Sequence, residues 1–197
     1  ISILSFNNTT GNLYFGDGQD NDVGQVSYNH NDNSMQLVTN GATGLKIDTA
    51  GIVTKPLQPL FKAQQTSALS VADGHTLFSG NITETYDVNA DFNDGTFTAP
   101  VDGYYQFSFR VLYKDMGTGG TDDIVEDRFV SSNLTEAVSR FGKLDDAILV
   151  AGFAESKGFT ILFMDANDTC ILQHTDGGTL AVETTALASH FEGQLLQ

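Results

Sequence analysis

Four histidines, one cysteine and a scatter of neighbouring carboxylates are the side chains of this sequence whose types could do chemistry. A hydrolase needs a base held beside a nucleophile, or metal ligands repeated at a spacing that brings them together. His30, His75, His174 and His190 sit in neither context: no nucleophile elbow, metalloprotease helix motif or paired-ligand spacing surrounds them. Asp122-Asp123 and Asp145-Asp146 are adjacent carboxylates, which point to opposite sides of an extended chain and make poor acid/base partners. Gly117-Thr118-Gly119-Gly120 lacks the Lys-Ser/Thr ending and strand-to-helix setting of a phosphate loop. Cys170 has no partner for a disulfide and lies in an alternating run, where it reads as a small buried apolar residue. The chemistry is that of a chain that is not an enzyme.

Cation binding is the chemistry that the residue types do allow. Asp17, Asp20 and Asp22, then Asp91, Asn93 and Asp94, then Asp122, Asp123, Glu126 and Asp127, and finally Asp165, Asn167 and Asp168 form oxygen-rich clusters of the kind calcium accepts. None carries the Gly and distant bidentate Glu of the calcium-loop motif, and Asp and Asn are also the ordinary chemistry of turns. The expectation is that no cofactor is required, with calcium the ion these loops accommodate. His30, placed on a threefold axis, would supply three imidazoles, enough for a transition metal; alone, it reads as a hydrogen-bonded histidine at a strand end.

Charge excludes one class of partner. Nine Lys and Arg stand against 25 Asp and Glu, a net charge of −16. A phosphate backbone demands a basic stripe, and none is present, so no nucleic acid is expected. No run of 18 apolar residues is present either, so no membrane insertion is expected. The chain opens at Ile1 rather than Met, as a fragment or processed product would.

The elements that position these residues read as strands. Phe 14, Tyr 6, Gly 20 and only 3 Pro, with short alternating runs, indicate an all-β chain. Composition changes near Pro56 and Pro59. Before them short strands are expected at Ile1–Phe6, Asn12–Phe15, Gly24–Tyr28, Ser34–Thr39, Gly44–Asp48 and Ile52–Thr54. Such sparse apolar side chains struggle to make a core in a single chain, and three copies sharing one axis would solve that. After Pro59, strands are expected at Leu60–Ala63, His75–Phe78, Ile82–Val88, Gly95–Ala99, Tyr104–Tyr113, Ile124–Ser131, Ala137–Phe141, Ala147–Ala154, Phe159–Met164, Thr169–His174, Leu180–Thr184 and His190–Leu196. Leu134, Val138, Phe141, Leu144, Ile148 and Ala151 also fit a helical period, so residues 134–151 read as helix or as strands.

One stretch carries a family spacing. From Gly95 to Phe109, Phe97 is followed by Gly103, Tyr105, Phe107 and Phe109 at intervals that resemble the signature of the complement-1q globular head, a jelly-roll relative of tumour necrosis factor. Asn81 and Tyr86 match its upstream part if a loop within Asp87–Thr96 is four residues longer, and Phe191-Glu192-Gly193-Gln194-Leu195-Leu196 resembles its closing strand. The resemblance spans about residues 60 to 197. Upstream, Gly24–His30, Asn33–Leu37 and Leu45–Gly51 resemble shaft segments of bacteriophage tail fibres.

The resemblances imply an all-β chain with a β-rich shaft at residues 1–58 and a jelly-roll β-sandwich head at 59–197, assembled as a homotrimer. They imply a receptor-binding tip of a virion tail fibre, extracellular, joined to other virion proteins upstream and attached to a host surface glycan or envelope protein by multivalent contacts. A purely structural fibre or collar component, or a secreted complement-1q-like adhesin or lectin, are the alternatives. Polar loop tips are the expected ligand-binding positions: Lys114, Asp115, Thr118, Thr121 and Asp122 on one long connection, Asp165, Asn167 and Asp168 on a second, and Asp176 on a third. Phe97, Tyr105, Phe107, Phe109, Ile161, Phe163 and Phe191 are the expected buried centre.

Overall fold

The computed structural model describes residues 2–114, 124–142, 154–175, 180–183 and 189–197. Among them there are seventeen strands and no helix. Two compact units divide the chain, Ile1–Gln58 and Pro59–Gln197.

The first unit is a five-stranded antiparallel meander, in order β1 (Thr10–Phe15), β2 (Gly24–Asn29), β3 (Ser34–Thr39), β4 (Ala42–Ile47) and β5 (Val53–Thr54). Asn40 and Gly41 both take positive φ, 49° and 72°, and form the two-residue turn whose twist suits a β3–β4 hairpin. The strand expected at Ile1–Phe6 is absent among the described residues 2–6; a turn in which Thr9 N donates to Phe6 O comes first, and β1 begins after it.

Two sheets face each other in the second unit. The first runs β14 (Ala154–Met164), β11 (Gly103–Lys114), β17 (His190–Leu195), β6 (Leu60–Gln65), β8 (Ile82–Val88), with β16 (Leu180–Val182) pairing the far end of β11 and β7 (Leu69–Val71) beyond it. The second runs β13 (Thr135–Gly142), β12 (Ile124–Ser131), β15 (Thr169–Thr175), β10 (Thr96–Thr98), β9 (Phe92–Asn93). Sequence neighbours repeatedly fall into opposite sheets, so the chain crosses between layers and the inward residues of both close one core. That core is aromatic. Phe61 of the first sheet stacks on Phe92 and Phe97 of the second, with ring centroids 4.5 and 5.2 Å apart, and Phe107 and Phe191 lock against them. Gly193 makes room for this: a Cβ there would sit 2.5 Å from the Phe61 ring and 2.6 Å from that of Phe107.

Five of the seven expected core residues are buried, but Ile161 and Phe163 are 51% and 53% exposed. Register explains the difference. Thr160 lies opposite Phe107, and Leu162 opposite Tyr105, so the even-numbered residues of β14 share the inward side. The run Phe159–Met164 is apolar at nearly every position, and with a side-chain period of two its parity cannot be read from composition. His75–Phe78 is not a strand: only a single bridge joins Thr76 to Gln173, and Phe78 has a φ of 59°. Residues 135–142 form a strand, β13, rather than the alternative helix, while 143–150 and most of the strand expected at 147–154 lie outside the described residues.

Candidate functional site

The expected loop residues do not converge. Lys114 closes β11 and pairs with Glu183, Nζ to Oε2 3.5 Å. Asp115, Thr118, Thr121, Asp122 and Asp176 lie outside the described residues. Asp165, Asn167 and Asp168 form the turn between β14 and β15, which is held by their backbone groups and by the Asp168 carboxylate. Asp168 Oδ2 accepts from Asp165 N (2.9 Å) and from the Asn133 amide, Asn167 N donates to Ala99 O (2.7 Å), and Asp102 Oδ1 accepts from Ala166 N (2.8 Å). This turn adjoins Gly103, which pairs with Met164, whereas Lys114 is at the opposite end of the same twelve-residue strand. At about 3.3 Å per residue that separates the two by roughly 35 Å. They do not make one tip.

Two of the other acidic clusters lie in turns, while of the third Asp122 and Asp123 lie outside the described residues and Glu126 and Asp127 sit on β12. Asp17 Oδ1 accepts from the backbone N of Gln19 and Asp20, and those bonds hold its carboxyl below the usual range. Asp87 accepts from the N of Asp91 and Phe92. Among the described residues no three His, Cys, Asp or Glu side chains converge as metal ligands.

What the fold assembles instead is a surface, the outward face of the β14-β11-β17-β6-β8 sheet. Its edge is apolar: Phe159 is 69% exposed, and Ile161, Phe163 and Tyr104 flank it, with the Tyr104 and Phe163 rings edge to face at 5.3 Å. Its centre is polar and paired. Lys62 Nζ lies 3.1 Å from Glu192 Oε2, and the Ser108 hydroxyl donates to Glu192 Oε1 at 2.9 Å. Burial raises the Glu192 carboxyl, but Lys62 and Ser108 together outweigh it and hold it below the ordinary value. His190, next along, is pushed down by burial and then by Lys62. Arg110 and Lys157 both pair with Glu155 and lower its carboxyl in that order. A cleft of about 140 Å³ opens here among Leu60, Tyr86, Gln106, Ser108, Glu192 and Gln194. Sequence reasoning missed this face. The signal was the nearly continuous apolar run 159–164, broken only by Thr160, because a strand apolar on both sides has something to meet on both.

A second polar group is closed to solvent. Tyr113 OH donates to Asp127 Oδ1 (2.7 Å), and His174 Nδ1 is 3.0 Å from the same oxygen, all three side chains being fully buried between the sheets. An acid, a histidine and a phenol in contact look catalytic, but no substrate reaches a group with no exposed surface. The contact ties β11 of one sheet to β12 and β15 of the other.

No protein-family model matches the chain, and no curated protein matches it. Solved structures do. A tumour necrosis factor called Eiger from S. frugiperda superposes with a TM-score of 0.53 at 11% identity, over 71% of this chain and 93% of that one. The fold is a jelly roll. The globular domain of zebrafish complement 1qA (17% identity, 71% and 98% covered, TM-score 0.48) and murine APRIL (8% identity, 71% and 99% covered, TM-score 0.49) are also found. At these identities the likeness speaks to architecture alone.

Proposed function

We propose that Pro59–Gln197 is the head of a homotrimeric fibre, a virion tail-fibre tip that attaches to a host cell surface. One observation carries the trimer: the exposed strip of Tyr104, Phe159, Ile161 and Phe163 on a sheet whose inner side is already packed. Contiguous apolar surface rimmed by polar groups marks an interaction site, and identical chains meeting through unlike patches close into rings. Three heads then present three equivalent copies of each loop tip. Weak contacts to a surface glycan or envelope protein add up, because each later contact forms at high effective concentration. The fibre and virion context rests on the resemblance of residues 24–51 to tail-fibre shafts.

One observation favours a second reading. The Asp168 carboxylate is spent on its own turn, which also takes the backbone N–H groups of Asp165 and Asn167, and Lys114 pairs with Glu183, as suits a structural head that registers the trimer. Light scattering on the intact chain tests the first step: a particle of three times the 21.2 kDa chain mass is expected, with the association midpoint moved to higher concentration by Ile161→Glu. Whole-cell and glycan-array binding by the trimer tests the second. Binding by the trimer that weakens on dilution below its association midpoint supports attachment, and no binding by a well-formed trimer supports the structural reading.

A further inference from the structure

The Ile1–Gln58 unit has an inverted burial pattern. Strand register places Gly11, Leu13 and Phe15 of β1, Val26 and Tyr28 of β2, Met35 and Leu37 of β3, Leu45 and Ile47 of β4 and Val53 of β5 on one side of the sheet. Leu13, Val26, Leu37 and Leu45 form an unbroken row across four strands. Asn12, Ser27, Gln36 and Lys46 occupy the other side, where Thr43 donates to Gln36 (3.0 Å) and Lys46 pairs with Asp32 (3.0 Å). Yet Met35 and Leu37 are exposed while Ser27 and Ser34 are buried.

We infer that this apolar sheet face is a self-interface, packed against the same face of two further copies of this chain. The other occupants fit worse. Every strand of the unit lies in the one sheet, and of the residues outside the strands Ile3 and Ser5 reach the Gly11 corner of the face, so the unit offers no second sheet of its own. An anionic lipid surface would meet five Asp and two Lys in residues 1–58. A charged partner would find no charged side chain on the face, whereas an identical face offers aliphatic rows against aliphatic rows. Size agrees. Six of these side chains, Leu13, Phe15, Tyr28, Met35, Leu37 and Val53, are 36–57% exposed. At up to ~200 Å² each they leave on the order of 500 Å² of apolar surface. That exceeds the ~400 Å² a soluble surface tolerates and approaches the ~800 Å² a side of a standard interface. The inference shares threefold assembly with the reading of the head but stands on different residues.

The test compares the full chain with Leu37→Glu, Leu37→Thr, Gln36→Glu and Ile161→Glu, by light scattering across concentration and by amide hydrogen exchange over residues 10–54. Leu37→Glu is expected to cut exchange protection of β1–β5 at least tenfold. Gln36→Glu, on the polar side beside Lys46, is expected to keep it. Leu37→Thr, which retains strand propensity, is expected to move the association midpoint to at least tenfold higher concentration, and it decides the matter if Leu37→Glu prevents the sheet from forming. The inference is overturned if Leu37→Thr associates like the native chain, or if Leu37→Glu is as protected as Gln36→Glu. Ile161→Glu separates the two interfaces: an association midpoint unchanged in that variant sinks the head reading and leaves this one standing.

Discussion

The two units of this chain use the same antiparallel pairing and end in opposite states. In Pro59–Gln197 the inward residues of two sheets meet, and Phe61, Phe97, Phe107 and Phe191 have no exposed surface. In Ile1–Gln58 one sheet stands by itself and its apolar rows stay open. Hydrogen-bonded register is therefore common to both, and only a second layer makes a core. A single sheet with one apolar face gains too little from burial to offset the entropy of ordering its residues.

The sharpest break of that comparison is within the closed core. Phe107→Ala is expected to cost about 3–5 kcal/mol by emptying the centre of the ring cluster, while Phe159→Ala, on the open edge, leaves the unfolding free energy of a dissociated chain within about 0.5 kcal/mol of the parent. Denaturant unfolding of both variants checks this, and equal losses would mean that the two sides of β14 and β11 are not distinct. Gly193→Ala comes next, at about 1–3 kcal/mol, because its new methyl must displace two packed rings.

Tyr113→Phe removes the hydroxyl that donates to Asp127 inside the sandwich, and a loss of about 1–3 kcal/mol is expected with no change in assembly. Calorimetry beside a mass measurement would show it. A parent-like stability would mean that the inter-sheet contact is not what ties this end of the layers.

Acid has the smallest expected effect, with a definite sign. His190 and His75 are held below the ordinary histidine value, both chiefly by burial, so the folded head binds fewer protons and loses stability as pH falls below about 6.5. Glu192, lowered on balance by Lys62 and Ser108, adds stability above the ordinary carboxylate range that is lost as pH falls further. Both act in one direction. Thermal melts from pH 7.5 to 5 are expected to drop by roughly 2–4 °C. A rise over that interval would contradict the burial of both histidines.

Sequence alone determined the parts of this protein that are local. Strand positions followed from alternation in Tyr104–Tyr113, Ile124–Ser131 and Thr169–His174, and the jelly roll from the spacing of Phe97, Gly103, Tyr105, Phe107 and Phe109. These signals live in residues a few positions apart, where side-chain period and backbone sterics act directly. Tertiary structure decided what depends on partners distant in the chain. Which side of Phe159–Met164 faces inward is settled by its register with β11, some fifty residues earlier. That Asp168 binds Asn133, and that Lys114 and Asp165 stand at opposite ends of one strand, follow from how the strands pair rather than from where they begin and end. Polar residues in a loop read alike whether they serve a ligand or their own turn, and only the neighbours brought to them by the fold tell the two apart.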